Sequence, residues 1–211
     1  KAISVQEQFR DVSIKQAFLP NVERLAYASF HLAKLTSIHF PSLSVVAGHS
    51  FSHNNFVYIN LSKLTHLEQS YQFSFCSKLK TFIALQLQNI NQCCFQRCEN
   101  LETVIAPKAS ISNCSFEHCP KLTTILTQNS DFRCSTKFCN DCPKCKGTLQ
   151  QCIQNGQHYA QTEAFRLIQK LKEADDMFIS EFQKTMQRNE FKLKHKNICQ
   201  NFRKVYKKLK R

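Results

Sequence analysis

Seven phenylalanines keep time along the first two-thirds of the chain. Phe9, Phe30, Phe51, Phe73, Phe95, Phe116 and Phe138 are separated by 21, 21, 22, 22, 21 and 22 residues. Self-similarity at a period in the low twenties marks a stack of short supersecondary units, none of which buries its apolar face alone. Other residues keep step with the rings. Phe73, Cys76, Leu79 and Phe82 return as Phe95, Cys98, Leu101 and Val104, and again as Phe116, Cys119, Leu122 and Ile125.

Each ring leads into a strand-like segment: Leu35–Phe40, Phe56–Leu61, Leu79–Ala84, Leu101–Ala106 and Leu122–Thr127. In the first three units the step from ring to strand is one residue shorter. A second apolar pair precedes the next ring, Val22/Leu25, Leu43/Val46, Leu64/Leu67 and Leu87/Ile90, with Ile111 alone in the fifth unit. Pro20, Pro41 and Pro107 follow the first segment at matching positions, where a turn must redirect the chain.

The order F-x-x-C-x-x-L-x-x-[IV], a Pro-marked turn and a second apolar pair resembles the BspA-like leucine-rich repeat over roughly residues 5–138. The resemblance implies a right-handed parallel solenoid. It also implies protein or surface recognition, of the kind found in surface and adhesion proteins. The expected fold is α+β: a leucine-rich-repeat parallel β solenoid of about six rungs of 21–22 residues, followed by a long C-terminal helical arm. The expected division is a solenoid at 1–138, a Cys-rich cap and linker at 139–157, and a basic helical arm at 158–211.

Strand side chains alternate between faces. If Ile38, Ile59, Phe82, Val104 and Ile125 point inward, Ser37, Tyr58, Thr81, Thr103 and Thr124 form one outward column. His39, Asn60, Ile83, Ile105 and Leu126 form its neighbour. The aliphatic residues of the second column make an apolar strip, and such a strip usually marks a contact surface. These ten residues are the expected protein-binding face, unless the C-terminal helix folds back over them.

Seven of the 12 cysteines fall into two groups. Cys76, Cys98 and Cys119 share a repeat slot with Val12, Ala33 and Asn54, which reads as a small buried position holding reduced thiols. Cys134, Cys139, Cys142 and Cys145 break the repeat register as C-x4-C-x2-C-x2-C. Four thiolates so close suit a structural Zn²⁺ or an iron–sulfur centre. The overlapping C-x2-C pairs count against a shared ion, and a capping turn with free or disulfide-bonded thiols is the competing reading. No other cofactor is expected.

From about Thr148 the composition turns helical. Phe165, Ile168, Leu171, Ala174, Phe178, Phe182 and Met186 average 3.5 residues apart, the period of a helix packed along a seam. Intrachain packing and self-association as a coiled coil both fit. Residues 191–211 hold 9 of the 29 Lys and Arg and none of the 15 Asp and Glu, so much of the net charge of +14 sits there. Arg203, Lys204, Lys207, Lys208, Lys210 and Arg211 surround an apolar stripe of Phe202, Val205 and Leu209. A basic amphipathic helix of this kind contacts an acidic partner or an anionic membrane. No nucleic-acid reading module accompanies the charge, so specific nucleic-acid binding is not expected.

No apolar run approaches the roughly 18 to 20 residues of a membrane span. The chain begins at Lys1 without a basic-then-apolar leader and reads as a piece of a longer protein. A cytoplasmic location is preferred, or the cell surface if the chain is a fragment of a BspA-like surface protein. With 3 Gly and no GxGxxG, GxxxxGK, HExxH or GxSxG, neither a phosphate-cradling loop nor a familiar catalytic constellation is present. The expectation is a non-enzyme: a scaffold that recognises another protein, with a basic arm on a membrane or polyanion as the alternative.

Overall fold

The computed structural model describes residues 1–171 except 130 and 135–137, together with scattered positions between 173 and 189. The chain divides into two compact units, Lys1–Lys172 and Glu173–Arg211. In the first unit lie β1 (Ala2–Ile3), β2 (Gln16–Phe18), β3 (Arg24–Leu25), β4 (Ser37–His39), β5 (Val45–Val46), β6 (Tyr58–Asn60), β7 (His66–Leu67), β8 (Thr81–Ile83), β9 (Asn89–Ile90), β10 (Thr103–Ile105), β11 (Ser110–Ile111), β12 (Thr124–Leu126) and helix α1 (Leu149–Tyr159). Among the described residues no helix is long and apolar enough to cross a membrane.

All strand pairs are parallel and follow the repeat. The even strands line one face as two hydrogen-bonded sheets, β2–β4 and β6–β8–β10–β12, the second with Ile59, Phe82, Val104 and Ile125 in register. The odd strands line another face, also as two sheets, β1–β3–β5–β7 with Leu25, Val46 and Leu67 in register, and β9–β11. Alternation decides what is inside. Ile59, Phe82, Val104 and Ile125 are buried, and so are Leu25, Leu43, Val46, Leu64, Leu87 and Ile90 from the second apolar pairs. The result is a parallel solenoid of about six turns with one continuous core.

The aromatic spine runs through that core. Successive ring centroids from Phe9 through Phe30, Phe51, Phe73, Phe95 to Phe116 lie 4.9, 5.9, 5.4, 5.7 and 5.8 Å apart, with planes within 19° of parallel. Each ring is held by an unusual backbone. The residues two before and two after it all have positive φ: Glu7 and Asp11, Ala28 and Leu32, His49 and His53, Tyr71 and Phe75, Cys93 and Arg97, Cys114 and His118. L-residues adopt this left-handed region at a cost, and here they do so in every rung without glycine. The compensation is a ladder: the N–H groups of Phe30, Phe51, Phe73 and Phe95 donate to carbonyls of Ser50, Gln72, Cys94 and Ser115 in the following rung.

The slot three residues after each ring serves the same ladder. The thiols of Cys76, Cys98 and Cys119 donate to the carbonyls of Phe51, Phe73 and Phe95 at 3.2, 3.1 and 3.0 Å, and Asn54 Nδ2 donates to Phe30 O at 2.8 Å. These are free thiols, and burial pushes Cys76 up to about 12 and Cys98 and Cys119 well above the ordinary thiol value. Val12, at the matching slot of the first unit, is exposed.

The spine does not end where spacing places it. Phe138 is 77% exposed, and Phe132 packs edge-on against Phe116 instead, at 5.5 Å and 75°. The chain after β12 makes no further strand among the described residues, so a ring on schedule has no rung to enter.

The C-terminal expectation is also revised. Helix α1 starts at Leu149, inside the segment expected to be a linker, and belongs to the solenoid unit. Its buried residues Leu149, Cys152, Ile153 and Gly156 follow the i, i+3, i+4, i+7 stripe of a helix seated on a core. Gly156 presses the helix onto β12: a Cβ there would stand 2.0 Å from Ile125 O. Asn155 Nδ2 donates to Thr123 O at 2.8 Å and Cys152 Sγ to Leu122 O at 3.3 Å, satisfying carbonyls that a following rung would otherwise have covered. Residues 160–162 form a turn, and 163–171 are helical again. Of the remainder of the expected arm only scattered positions between 173 and 189 are described, and Ala174, Phe178, Phe182 and Met186 of its stripe lie outside them.

Candidate functional site

The even-strand face carries the ten residues that alternation assigns to the outside, and the structure divides them. Toward the N-terminus, Ser37, His39 and Tyr58 are exposed and Asn60 is half-buried. Beside them Phe18, 55% exposed, stacks its ring on His39 with centroids 5.3 Å apart and planes within 2°. Thr81, Thr103 and Thr124 point outward and are half-buried. Ile83 and Ile105 are buried, contrary to the expected exposed strip. They form a second small core with Leu85 and Ile168, against which Leu126, Tyr159 and Phe165 pack. The chain therefore covers the aliphatic half of this face with its own residues 159–168. At the aromatic half, Phe18, His39 and Tyr58 are each exposed.

The odd-strand face is different in character. Its outward column is Arg24, Val45, His66, Asn89 and Ser110. Its polar groups find partners within the face: Arg24 pairs with Glu68 at 2.7 Å, and Ser110 Oγ donates to Asn89 Oδ1 at 2.7 Å.

A third surface was not legible as a site from spacing alone. Aligning the repeats on their rings puts His49 and Tyr71 in one column and His53, Phe75 and Arg97 in another. His49 stacks on Tyr71 at 4.9 Å, His53 on Phe75 at 4.5 Å, and the Arg97 guanidinium lies 5.7 Å from the Phe75 centroid. His31 meets the edges of both His49 and His53, at 6.0 and 5.3 Å. Burial lowers the pKa of all three histidines, and His53 lowers that of His31 and His49 further by charge repulsion.

The four off-register cysteines converge. The sulfurs of Cys134, Cys139, Cys142 and Cys145 all lie within 4.8 Å of one another, and Cys142 and Cys134 are 3.7 Å apart. The overlapping C-x2-C pairs thus do reach one point. The cluster sits on the last rung: His118 N–H donates to Cys139 Sγ at 3.4 Å, and His118 Nδ1 meets Asp141 Oδ1 at 3.1 Å. Burial raises Cys142 to about 12 and raises Cys134. Cys139 runs the other way: burial opposes ionisation, but the N–H groups of His118, Asp141 and Cys142 outweigh it and lower its pKa.

The basic residues Arg203, Lys204, Lys207, Lys208, Lys210 and Arg211 lie outside the described residues.

With the ladders, spine and turns in place, comparison with known families is direct. The profile for the BspA type leucine rich repeat region matches in six copies, over residues 4–123 and 89–209. The chain belongs to the BspA-type leucine-rich repeat family. Searches of curated proteins and of solved structures found no match. The family match runs past β12, whereas among the described residues the last strand ends at Leu126. Leucine-rich repeats serve as protein-interaction scaffolds, and this solenoid is of that kind.

Proposed function

We propose that the chain is a non-catalytic recognition scaffold that takes its protein partner on the N-terminal half of the even-strand face. Ser37, His39, Tyr58 and Asn60 supply the contacts, with Phe18 added to them and Thr81, Thr103 and Thr124 forming the rim. The observation that carries this reading is the split of the even-strand face. Its aliphatic end is closed by Phe165 and Ile168, while Phe18 and Tyr58 at its other end stay 55% and 49% exposed. Aromatic side chains are the usual anchors of protein interfaces, because they contribute large contact area at little conformational cost. The odd-strand face is a poorer candidate, since its outward column of Arg24, Val45, His66, Asn89 and Ser110 holds no Phe or Tyr.

The test is capture of partners with the full chain and with Phe18→Asp and Tyr58→Asp variants, using His66→Asp on the odd-strand face as control. A partner retained by the wild type and the His66→Asp chain but lost from both other variants supports the reading. A partner that ignores Phe18 and Tyr58 refutes it.

The charge of residues 191–211 favours a second reading, in which Arg203, Lys204, Lys207, Lys208, Lys210 and Arg211 contact an anionic membrane or an acidic partner. Binding of that kind weakens steeply as salt rises and disappears with deletion of 191–211. Contact through Phe18 and Tyr58 survives both.

A further inference from the structure

In five successive rungs the residue two positions after the spine ring donates its N–H to a backbone carbonyl of the next rung. Asp11 donates to His31, Leu32 to Ser52, His53 to Ser74, Phe75 to Gln96 and Arg97 to Glu117. The sixth member of the series is His118, and its N–H points instead at the sulfur of Cys139, 21 residues on. A thiol has taken the place of the missing rung. N–H donation to sulfur is the contact that stabilises a metal-bound thiolate and orients it.

We propose that Cys134, Cys139, Cys142 and Cys145 bind one Zn²⁺, which closes the solenoid in place of a seventh rung. A tetrahedral tetrathiolate with Zn–S bonds of about 2.3 Å sets its sulfurs about 3.8 Å apart. The Cys134–Cys142 separation of 3.7 Å already has that value, and all four sulfurs lie within 4.8 Å of one another. A multinuclear iron–sulfur cluster puts its own irons and sulfides between the thiolates and holds them farther apart than this arrangement does. Zinc suits a structural role, since it has no redox chemistry and imposes no geometry beyond what four ligands fill. His118 and Asp141 complete the surroundings. The His118 N–H donates to Cys139 Sγ at 3.4 Å, and the His118 ring meets Asp141 Oδ1, which also accepts from the Cys139 thiol at 3.4 Å. On binding, each thiol releases its proton to solvent, so affinity falls as pH falls. The inference does not rest on the partner-binding face, because it concerns how the solenoid ends.

The full chain, purified with a thiol reductant and without chelator, is expected to carry one zinc per chain by elemental analysis. Replacing zinc by Co²⁺ should give the visible bands of tetrahedral tetrathiolate cobalt. Cys142→Ser should lose the metal, and Cys93→Ser, which removes a buried thiol outside the cluster, should keep it. The cobalt titration of the wild-type chain stands even if Cys142→Ser fails to fold. Metal-free wild-type protein that takes up neither Co²⁺ nor added Zn²⁺ when reduced would overturn the assignment. Iron in place of zinc would do so too, as would an intact mass showing disulfides within Cys134–Cys145 of the protein as purified.

Discussion

Phe132 meets Phe116 edge-on at 5.5 Å, and this contact ends the aromatic spine. The six rings before it lie nearly face to face, so the turn to an edge-on pair marks the point where rungs give way to a cap. Phe138, which keeps the repeat spacing, stands in solvent.

The two rings should therefore differ sharply on truncation. Phe132→Ala removes a buried ring at the end of the core and is expected to cost about 3 kcal/mol. Phe138→Ala is expected to change stability by less than about 0.5 kcal/mol. Urea unfolding of both variants measures the difference, and equal costs would place both rings wrongly.

Gly156→Ala tests how α1 is seated. On helix propensity alone the change would stabilise by about 1 kcal/mol. The added Cβ would stand 2.0 Å from Ile125 O, so the helix must lift from β12. The expected result is a lower melting temperature, with faster hydrogen exchange across Thr124–Leu126. Stabilisation would mean that the helix is not pressed on the strand.

The left-handed turns predict an order of residues. Lys34 is exposed and has φ of +59°, and its side chain only reaches Ser13. Lys34→Gly relieves strain of about 1–2 kcal/mol while adding chain entropy to the unfolded state, for a net gain of up to about 1 kcal/mol. Lys34→Val, with its branched Cβ, is destabilising. Thermal melts that rank Gly above Lys above Val support the turn geometry.

His31, His49 and His53 make stability depend on pH. Burial, and for His31 and His49 the neighbouring His53, lowers their pKa, so the folded state prefers them neutral. Above the ordinary histidine value of about 6.5 they are neutral in both states and impose no penalty. As pH falls below that value the unfolded chain takes up protons first, and stability is lost through the lowered folded values. Glu7 works against the shift at His31, and Arg10 adds to it. Melting temperature should drop between pH 7 and pH 5, and a His49→Gln/His53→Gln chain should show a shallower drop. An unchanged slope would remove the histidines from the account.

Much of this architecture is written in the spacing of residues. Ring period, strand phase and the burial of Ile59, Phe82, Val104 and Ile125 follow from alternation and need no coordinates. The convergence of Cys134 to Cys145 was legible as a cluster, but not as four sulfurs around one point, because overlapping C-x2-C pairs are compatible with several turns. The covering of Ile83 and Ile105 was open, since a helical stripe records that Phe165 and Ile168 pack but not against what. Phe138 misled because spacing says when a ring recurs and not whether a rung remains to receive it. The positive-φ pairs were invisible, as Ala28, His49, Cys93 and Arg97 carry no glycine-like mark of a left-handed turn.

The division of the even-strand face is the claim on which the proposed function depends, and covalent footprinting of the full chain in solution tests it most directly. Heavy labelling of Phe18 and Tyr58 with protection of Ile83 and Ile105 is the predicted pattern. Labelling of Ile83 and Ile105 as strong as that of Tyr58, or protection of Phe18 and Tyr58 in the unbound chain, would contradict it.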